Sequence, residues 1–207
     1  NFEDCVIKSW NNFTINSTFK SQELNNKKFP YQSIDSGLFY KKIIHELNKN
    51  KNIQFFKDLD KINTADAFIF NSVPEKQFFY TNPNPKRLWQ HFKGIEIETD
   101  KDIFDDKIIN LMDFDCEQRN NVHFFYTLPF TKNRALVETT WLSTYDKSLH
   151  DYDEQLEKYI KENLRIKKFK IKYKEEGAIP LFYPLNNGEQ KKINIGSAGG
   201  MIRLSTG

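Results

Sequence analysis

The chain has 207 residues, 38% apolar and 15% aromatic, enough to bury the core of one ordinary domain or parts of two, which excludes a disordered chain. Its 31 basic and 28 acidic residues leave a formal charge of +3 and are interspersed rather than clustered, so no nucleic-acid partner is implied. Two distant cysteines, Cys5 and Cys116, without Cys or His at ligand spacing argue against a disulfide framework and a metal site, and no apolar run reaches the about eighteen residues of a membrane span.

The 19 phenylalanines suit an apolar binding cavity, although abundant Phe, Lys, Asn and Ile also fit an AT-rich genome. The chain opens at Asn1 and closes inside a glycine-rich motif, so we expect a segment of a longer protein. A reducing cytoplasm is the default compartment.

Residues 36–50 predict an amphipathic helix capped at Ser36, with Phe39, Ile43, Ile44 and Leu47 on one face. Residues 52–56 and 65–71 read as short strands, and Pro74, Pro83 and Pro85 mark a loop. Strands follow at 87–97, 108–114, 122–130 and 134–142, the last two joined by a short hairpin, which together predict an antiparallel sheet. Residues 150–164 predict a helix with acidic residues in its first turn and Leu156, Tyr159 and Ile160 on one face. Strand character returns at 169–173, Glu175-Glu176-Gly177 reads as a turn, and 178–182 resumes. Domain boundaries are weakly marked: residues 1–190 read mainly as a substrate-binding sheet with packing helices and part of a dinucleotide-binding domain, and 191–207 as a truncated strand-turn-helix.

Three glycines in five positions, Gly196, Gly199 and Gly200, follow the strand-like Lys192-Ile193-Asn194. Such a turn lets backbone amides approach a phosphate-bearing cofactor, the alternative being a loose glycine tail. Within residues 135–142, period-two alternation puts Glu138 with Leu136, Thr140 and Leu142, while Ala135, Val137, Thr139 and Trp141 share the other side. A carboxyl group desolvated in this way can stay protonated near neutrality and act as a general acid; otherwise it is an edge glutamate that reaches water or a lysine. Asp113 is a second acid among apolar neighbours, or a strand-end turn residue. His91 is a weaker candidate, since a lone strand histidine is more often structural.

The series Leu88-Trp89-Gln90-His91-Phe92-Lys93-Gly94, Leu111-Met112-Asp113-Phe114, Phe125-Tyr126-Thr127-Leu128-Pro129-Phe130, Leu136-Val137-Glu138-Thr139-Thr140 and Glu176-Gly177-Ala178-Ile179-Pro180, followed by residues 196–207, resembles in order the lycopene cyclases of carotenoid synthesis. The resemblance covers about the last 120 residues. It implies an α/β fold, a glutathione-reductase-like flavoprotein with a mostly antiparallel substrate-domain sheet, whose Gly-x-Gly-x-x-Gly fingerprint does not occur in this chain. The family's cyclase motif, an acidic pair followed by Thr, aligns its first acid with Glu138, while Thr139 stands in place of the second; Leu204 replaces a usual proline and Leu181 a usual methionine.

The resemblance implies a non-redox isomerisation that closes the end of linear lycopene, or of a related carotenoid, into a six-membered ring. Its cofactors would be reduced FAD and NAD(P)H as reductant. Glu138 would be the proton donor and Asp113 a weaker partner. Gln90, His91, Phe92, Tyr126 and Trp141 would contact substrate, and Gly196, Ser197, Ala198, Gly199, Gly200, Ser205, Thr206 and Gly207 would lie by the flavin. So apolar a substrate implies peripheral membrane contact, at the inner membrane in a bacterium or within a plastid in a plant or alga. The competing readings are a prenyl reductase or monooxygenase of the same superfold and a non-catalytic polyene-binding fragment, and the isolated segment is expected to be inactive. The expected ring is of the β type, though the residues themselves do not separate β from ε, and oligomeric state is not indicated.

Overall fold

The computed structural model describes residues 2–58, 62–63, 65, 67–73, 87–144, 147–182 and 191–202. Its strands are β1 (Val6–Trp10), β2 (Asn12–Ser17), β3 (Lys20–Asn25), β4 (Tyr31–Ile34), β5 (Ile69–Asn71), β6 (Trp89–Glu98), β7 (Ile108–Asp113), β8 (Val122–Thr131), β9 (Arg134–Ser143), β10 (Lys170–Pro180) and β11 (Lys192–Asn194). The helices are α1 (Ser36–Asn48) and α2 (Tyr152–Glu162). A seven-stranded sheet runs in the order β10-β6-β9-β8-β7-β2-β3, while β1 pairs with β4 and β11 with β5. The large sheet is antiparallel except where β2 lies parallel to β7.

The long alternating strands β6, β8 and β9 carry the architecture because each buries side chains on both faces. On one face Ile95, Ile97, Phe125 and Val137 meet Leu156, Tyr159 and Ile160 of α2, with Ile166 closing the cluster. The Phe125 and Tyr159 rings stack at 3.9 Å. On the other face Trp10, Ile109 and Leu128 form a second cluster with Phe13, Leu111, Tyr126, Phe130 and Leu136 around them. The Trp10 indole N–H donates to the Pro129 carbonyl at 3.1 Å and so ties the β1/β4 ribbon to that face.

The strands expected at 87–97, 108–114, 122–130 and 134–142 and the helix at 150–164 are present with ends shifted by up to two residues. The first helix is capped one residue earlier than expected: Asp35 Oδ1 accepts from Leu38 N at 2.7 Å, so Ser36 is already helical. Residues 52–56 are not a strand. Asn50 captures the following backbone, its side chain accepting from Asn52 N at 3.0 Å and its carbonyl from Ile53 N at 3.1 Å, and this turn diverts the chain. Of residues 65–71 only Ile69–Asn71 are strand, paired in parallel with β11. The loop at Pro74, Pro83 and Pro85 lies outside the described residues.

Glu175-Glu176-Gly177 is not a turn. It is the middle of the continuous β10, with Gly177 opposite Phe92, whose ring covers it: a Cβ at Gly177 would lie 2.8 Å from Phe92 Cζ. A strand glycine here marks a close side-chain crossing rather than a chain reversal.

Phe125 is 2% exposed and stacked on Tyr159, so Phe125→Ala should lower stability by about 3–5 kcal/mol. A loss of less than about 1 kcal/mol in unfolding free energy by denaturant titration would show that this face does not hold α2.

Candidate active site

Side chains of directly paired residues lie on the same face of a sheet, so register sorts the candidate residues. Glu138 pairs with Gly94 on one side and Tyr126 on the other. The flanking pairs bring Phe92 and Phe124 beside Thr140, and Gln90 beside Leu142. Gln90, Phe92, Tyr126 and Glu138 therefore share one face. His91, His123 and Trp141 share the opposite face, under α2.

Glu138 lies half-buried between the apolar Leu136 and the hydroxyl of Thr140, which donates to Glu138 Oε1 at 2.7 Å. Burial pushes its carboxyl up to about 7; the Thr140 hydrogen bond pulls the other way, and the nearby charge of Glu175 adds to the rise. Burial also raises the Tyr126 phenol, with Tyr31 of β4 and Glu138 contributing. Tyr31 is raised for the same two reasons, burial and the Glu138 charge. Glu138 thus sits in a low-polarity patch bordered by two neutral phenols and an aromatic ring, where a carboxylic acid retains its proton near neutrality.

Asp113 is on the other side of the sheet. Strict alternation along β7 would place it with Ile109 and Leu111, but an irregularity between Asn110 and Asp113 shifts the register and pairs Asp113 with Phe125. There Asp113 Oδ2 accepts from the Tyr159 hydroxyl at 2.6 Å and from Asn110 Nδ2 at 3.0 Å, and its Oδ1 from Asp115 N at 3.0 Å. Its bonds tie β7 to α2, and it does not meet Glu138.

His91 is fully buried between the Tyr152 hydroxyl, 2.6 Å from Nδ1, and the Ser143 hydroxyl, 2.7 Å from Nε2. Trp141 is equally buried, stacked on His123 at 3.8 Å and donating to Gln155 Oε1 at 3.0 Å. Thr139, which occupies the position of the motif's second acid, also faces α2: its hydroxyl donates to Gln155 Oε1 at 2.8 Å and lies 2.7 Å from His123 Nε2. Burial lowers the His123 imidazole to about 4, so it is neutral in this network.

The glycine run follows β11 as a short 3-10 turn, Gly196–Gly199. Gly196 and Gly200 have φ of +53° and +68°, in the left-handed region. A Cβ at Gly199 would lie 2.5 Å from the Asn194 carbonyl oxygen, so the turn presses onto the end of its own strand. Ala198 is buried, and the Met201 N–H closes the turn onto the Gly196 carbonyl at 2.9 Å. The turn stands at the carboxyl end of the parallel pair β5/β11, the end where open parallel sheets receive ligands. Ser205, Thr206 and Gly207 lie outside the described residues.

A family profile described as lycopene cyclase protein matches residues 1–207. The chain belongs to the lycopene cyclase family. It is 26% identical over 234 residues to the lycopene beta cyclase, chloroplastic/chromoplastic, of Capsicum annuum, covering 99% of this chain and 46% of that protein. Among solved structures, a geranylgeranyl bacteriochlorophyll reductase-like protein of Thermoplasma acidophilum superposes with a TM-score of 0.66 at 10% identity, over 96% of this chain and 57% of the other. A flavin-dependent brominase superposes with a TM-score of 0.56 at 11% identity, over 92% of this chain and 55% of the other. The chain thus spans about half the length of these relatives, and it shares with the two structures the mixed α/β fold with a mainly antiparallel sheet.

The residue that sequence reading passed over is Glu175. It belongs to the Glu138 face through Gly94, which pairs with both acids, and burial raises its carboxyl as well. Its signal was present in the alternation of β10 but was masked by the glycine two residues on.

A carboxyl raised from the ordinary glutamate range to about 7 opposes folding wherever the unfolded chain has already ionised. Stability should therefore decline as pH rises from about 4.5 to 7, with the whole penalty present above 7. Glu138→Gln should raise stability at pH 8 by about 2 kcal/mol and change it little at pH 4. Denaturation at the two pH values checks this, and an equal effect at both would contradict a raised Glu138.

Proposed function

We propose that the protein is a lycopene beta cyclase in which Glu138 is the general acid that starts ring closure. The observation that supports this most directly is the placement of Glu138: a carboxyl raised to about 7 on a sheet face lined by Phe92, Leu136 and Tyr126. An acid for an unactivated double bond must be protonated at working pH and shielded from water that would trap the cation. The raised Glu138 carboxyl and its apolar neighbours support the first condition.

The Glu138 O–H bond breaks as its proton adds to the terminal double bond of the linear polyene. The internal double bond attacks the resulting cation to form the six-membered ring, and loss of a ring proton to a carboxylate restores neutrality. Atoms and electrons balance with no oxidant or reductant consumed. The ring faces of Phe92 and Tyr126 present electron-rich surfaces that favour a passing cation. Thr140 fixes the orientation of the Glu138 carboxyl through Oε1. Asp113 would assist only indirectly, by anchoring β7 to α2 through Tyr159.

The family implies reduced FAD, with NAD(P)H as its reductant. Backbone groups of residues 196–200, with Ser205, Thr206 and Gly207, would hold the flavin, a role suited to a turn with two left-handed glycines at a sheet end. When bound, the reduced flavin would supply an electron-rich ring to the site. Among the described residues no helix is long and apolar enough to cross a membrane; a substrate as apolar as a carotenoid would be collected by contact with the membrane surface.

In lycopene-accumulating cells expressing the full-length gene, cyclised carotene should form, and Glu138→Gln should abolish it while bound flavin is retained. Undiminished product from the variant would remove Glu138 from the chemistry. NAD(P)H consumed one for one with product would instead indicate a reductase or monooxygenase.

A further inference from the structure

A second carboxyl group reaches the Glu138 face from the neighbouring edge strand. Gly94 of β6 pairs with Glu138 on one side and with Glu175 on the other, so the two acids flank one position that has no side chain. Two strand spacings separate their backbones by roughly 10 Å, within the combined reach of two glutamate side chains. The space over Gly94 is taken by Glu175 itself: a Cβ on Gly94 would lie 3.0 Å from Glu175 Cγ, 3.0 Å from Glu175 Oε1 and 3.2 Å from Leu136 Cδ1. The Glu175 carboxyl therefore leans inward across Gly94 toward β9.

Among the described residues, the other titratable groups on this face beside the pair are the phenols of Tyr126 on β8 and Tyr31 on β4, both raised by burial, and the exposed Tyr173, two residues before Glu175 on β10. Lys93 is next in sequence to Gly94 but points to the opposite face, where it binds Asp153 at 2.7 Å and Glu176 at 3.6 Å. Farther along the face, Arg134 pairs with Glu96 at 3.4 Å. The two carboxyls thus share one face of the sheet on either side of Gly94, with Leu136 beside them, and two like charges so placed are unfavourable, which favours the protonated form of Glu138.

We propose that Glu138 and Glu175 form one carboxyl pair across Gly94, in which Glu175 is a positioning residue that keeps the proton on Glu138. The assignment rests on the reading of Glu138 as the acid. It also bears on the motif, whose second acidic position is Thr139: that side chain points through the sheet toward His123 and Gln155, so a carboxylate partner on the reacting face has to come from another strand. β10 supplies it. Gly94 is then the element that makes the pair possible, since any side chain there would separate the two acids.

The test uses the full-length protein and follows the protonated carboxyl band of Glu138 by difference infrared spectroscopy, assigned by its loss in Glu138→Gln. The wild-type midpoint is expected near 7. In Glu175→Gln the like charge is gone, so the midpoint should fall, by less than about one pH unit because burial is the chief cause of the raised value, and the alkaline limb of cyclisation should move down with it. Gly94→Ala, which displaces the Glu175 side chain while keeping both carboxyls, should shift the midpoint in the same direction. An unchanged midpoint in both variants overturns the pair. If the midpoint moves but no variant or wild-type protein cyclises lycopene, the pair stands and the cyclase reading fails. If cyclisation proceeds with an unchanged pH profile in Glu175→Gln, the cyclase reading stands and the pair fails.

Discussion

A strand hydrogen-bonded along both edges cannot turn one side chain to its other face without slipping two ladders, and β9 is such a strand, paired with β6 and β8 over nearly its whole length. Everything that distinguishes the two sides of this sheet follows from that lock. Ala135, Val137, Thr139 and Trp141 are committed to the layer under α2, and Leu136, Glu138 and Thr140 to the layer under the β1/β4 ribbon. The first layer is tightly filled and hydrogen-bonded, as the stacked His123 and Trp141 rings and the shared Gln155 acceptor show. The second holds Glu138, which forms no ion pair with a cation among the described residues. A rigid layer on one side fixes where a side chain on the other side can stand.

Two strand glycines extend the same logic to the sheet edge. Gly in a strand sacrifices packing and adds entropy to the unfolded chain, so its presence at the centre of a pairing calls for a local reason. Gly177 gives the tip of the Phe92 ring room against β10, and Gly94 gives Glu175 room to lie over β6. Each vacancy is filled by a side chain from the neighbouring strand. The outcome is a shallow apolar patch with aromatic walls and two carboxyls, assembled from β6, β8, β9 and β10.

Where long alternating segments carry their own pattern, sequence and structure coincide: β6, β8, β9 and α2 stand where periodicity puts them, and the sidedness of Glu138 follows from counting by twos. Pattern reading fails where tertiary partners decide. The segments that became β2 and β3 are rich in Asn, Ser, Thr and Lys, largely unburied, and acquire strand geometry by pairing beside β7. Asp113 depends on one register irregularity that sequence does not announce. Glu175 was hidden because a glycine reads locally as punctuation, whereas its cause here is a ring from another strand. Candidates chosen by adjacency were also split by the pleat, since Gln90, His91 and Phe92 alternate between faces and only the outer two look toward Glu138.

The same pleat constrains how a cyclase motif with consecutive acids can act. Adjacent residues on a flat strand project to opposite sides, so consecutive carboxylates cannot both address one substrate. In this chain the second position serves the buried layer, where the Thr139 hydroxyl donates to Gln155 and lies beside His123. A hydroxyl in place of an acid there leaves the face that carries Glu138 untouched. It removes a group that would have had to stay neutral, or be balanced, within the densest part of the core. The departure from the family pattern is therefore compatible with an intact acid on the open face, and the requirement for a second carboxyl, where there is one, passes to a strand whose side chain can reach across a glycine.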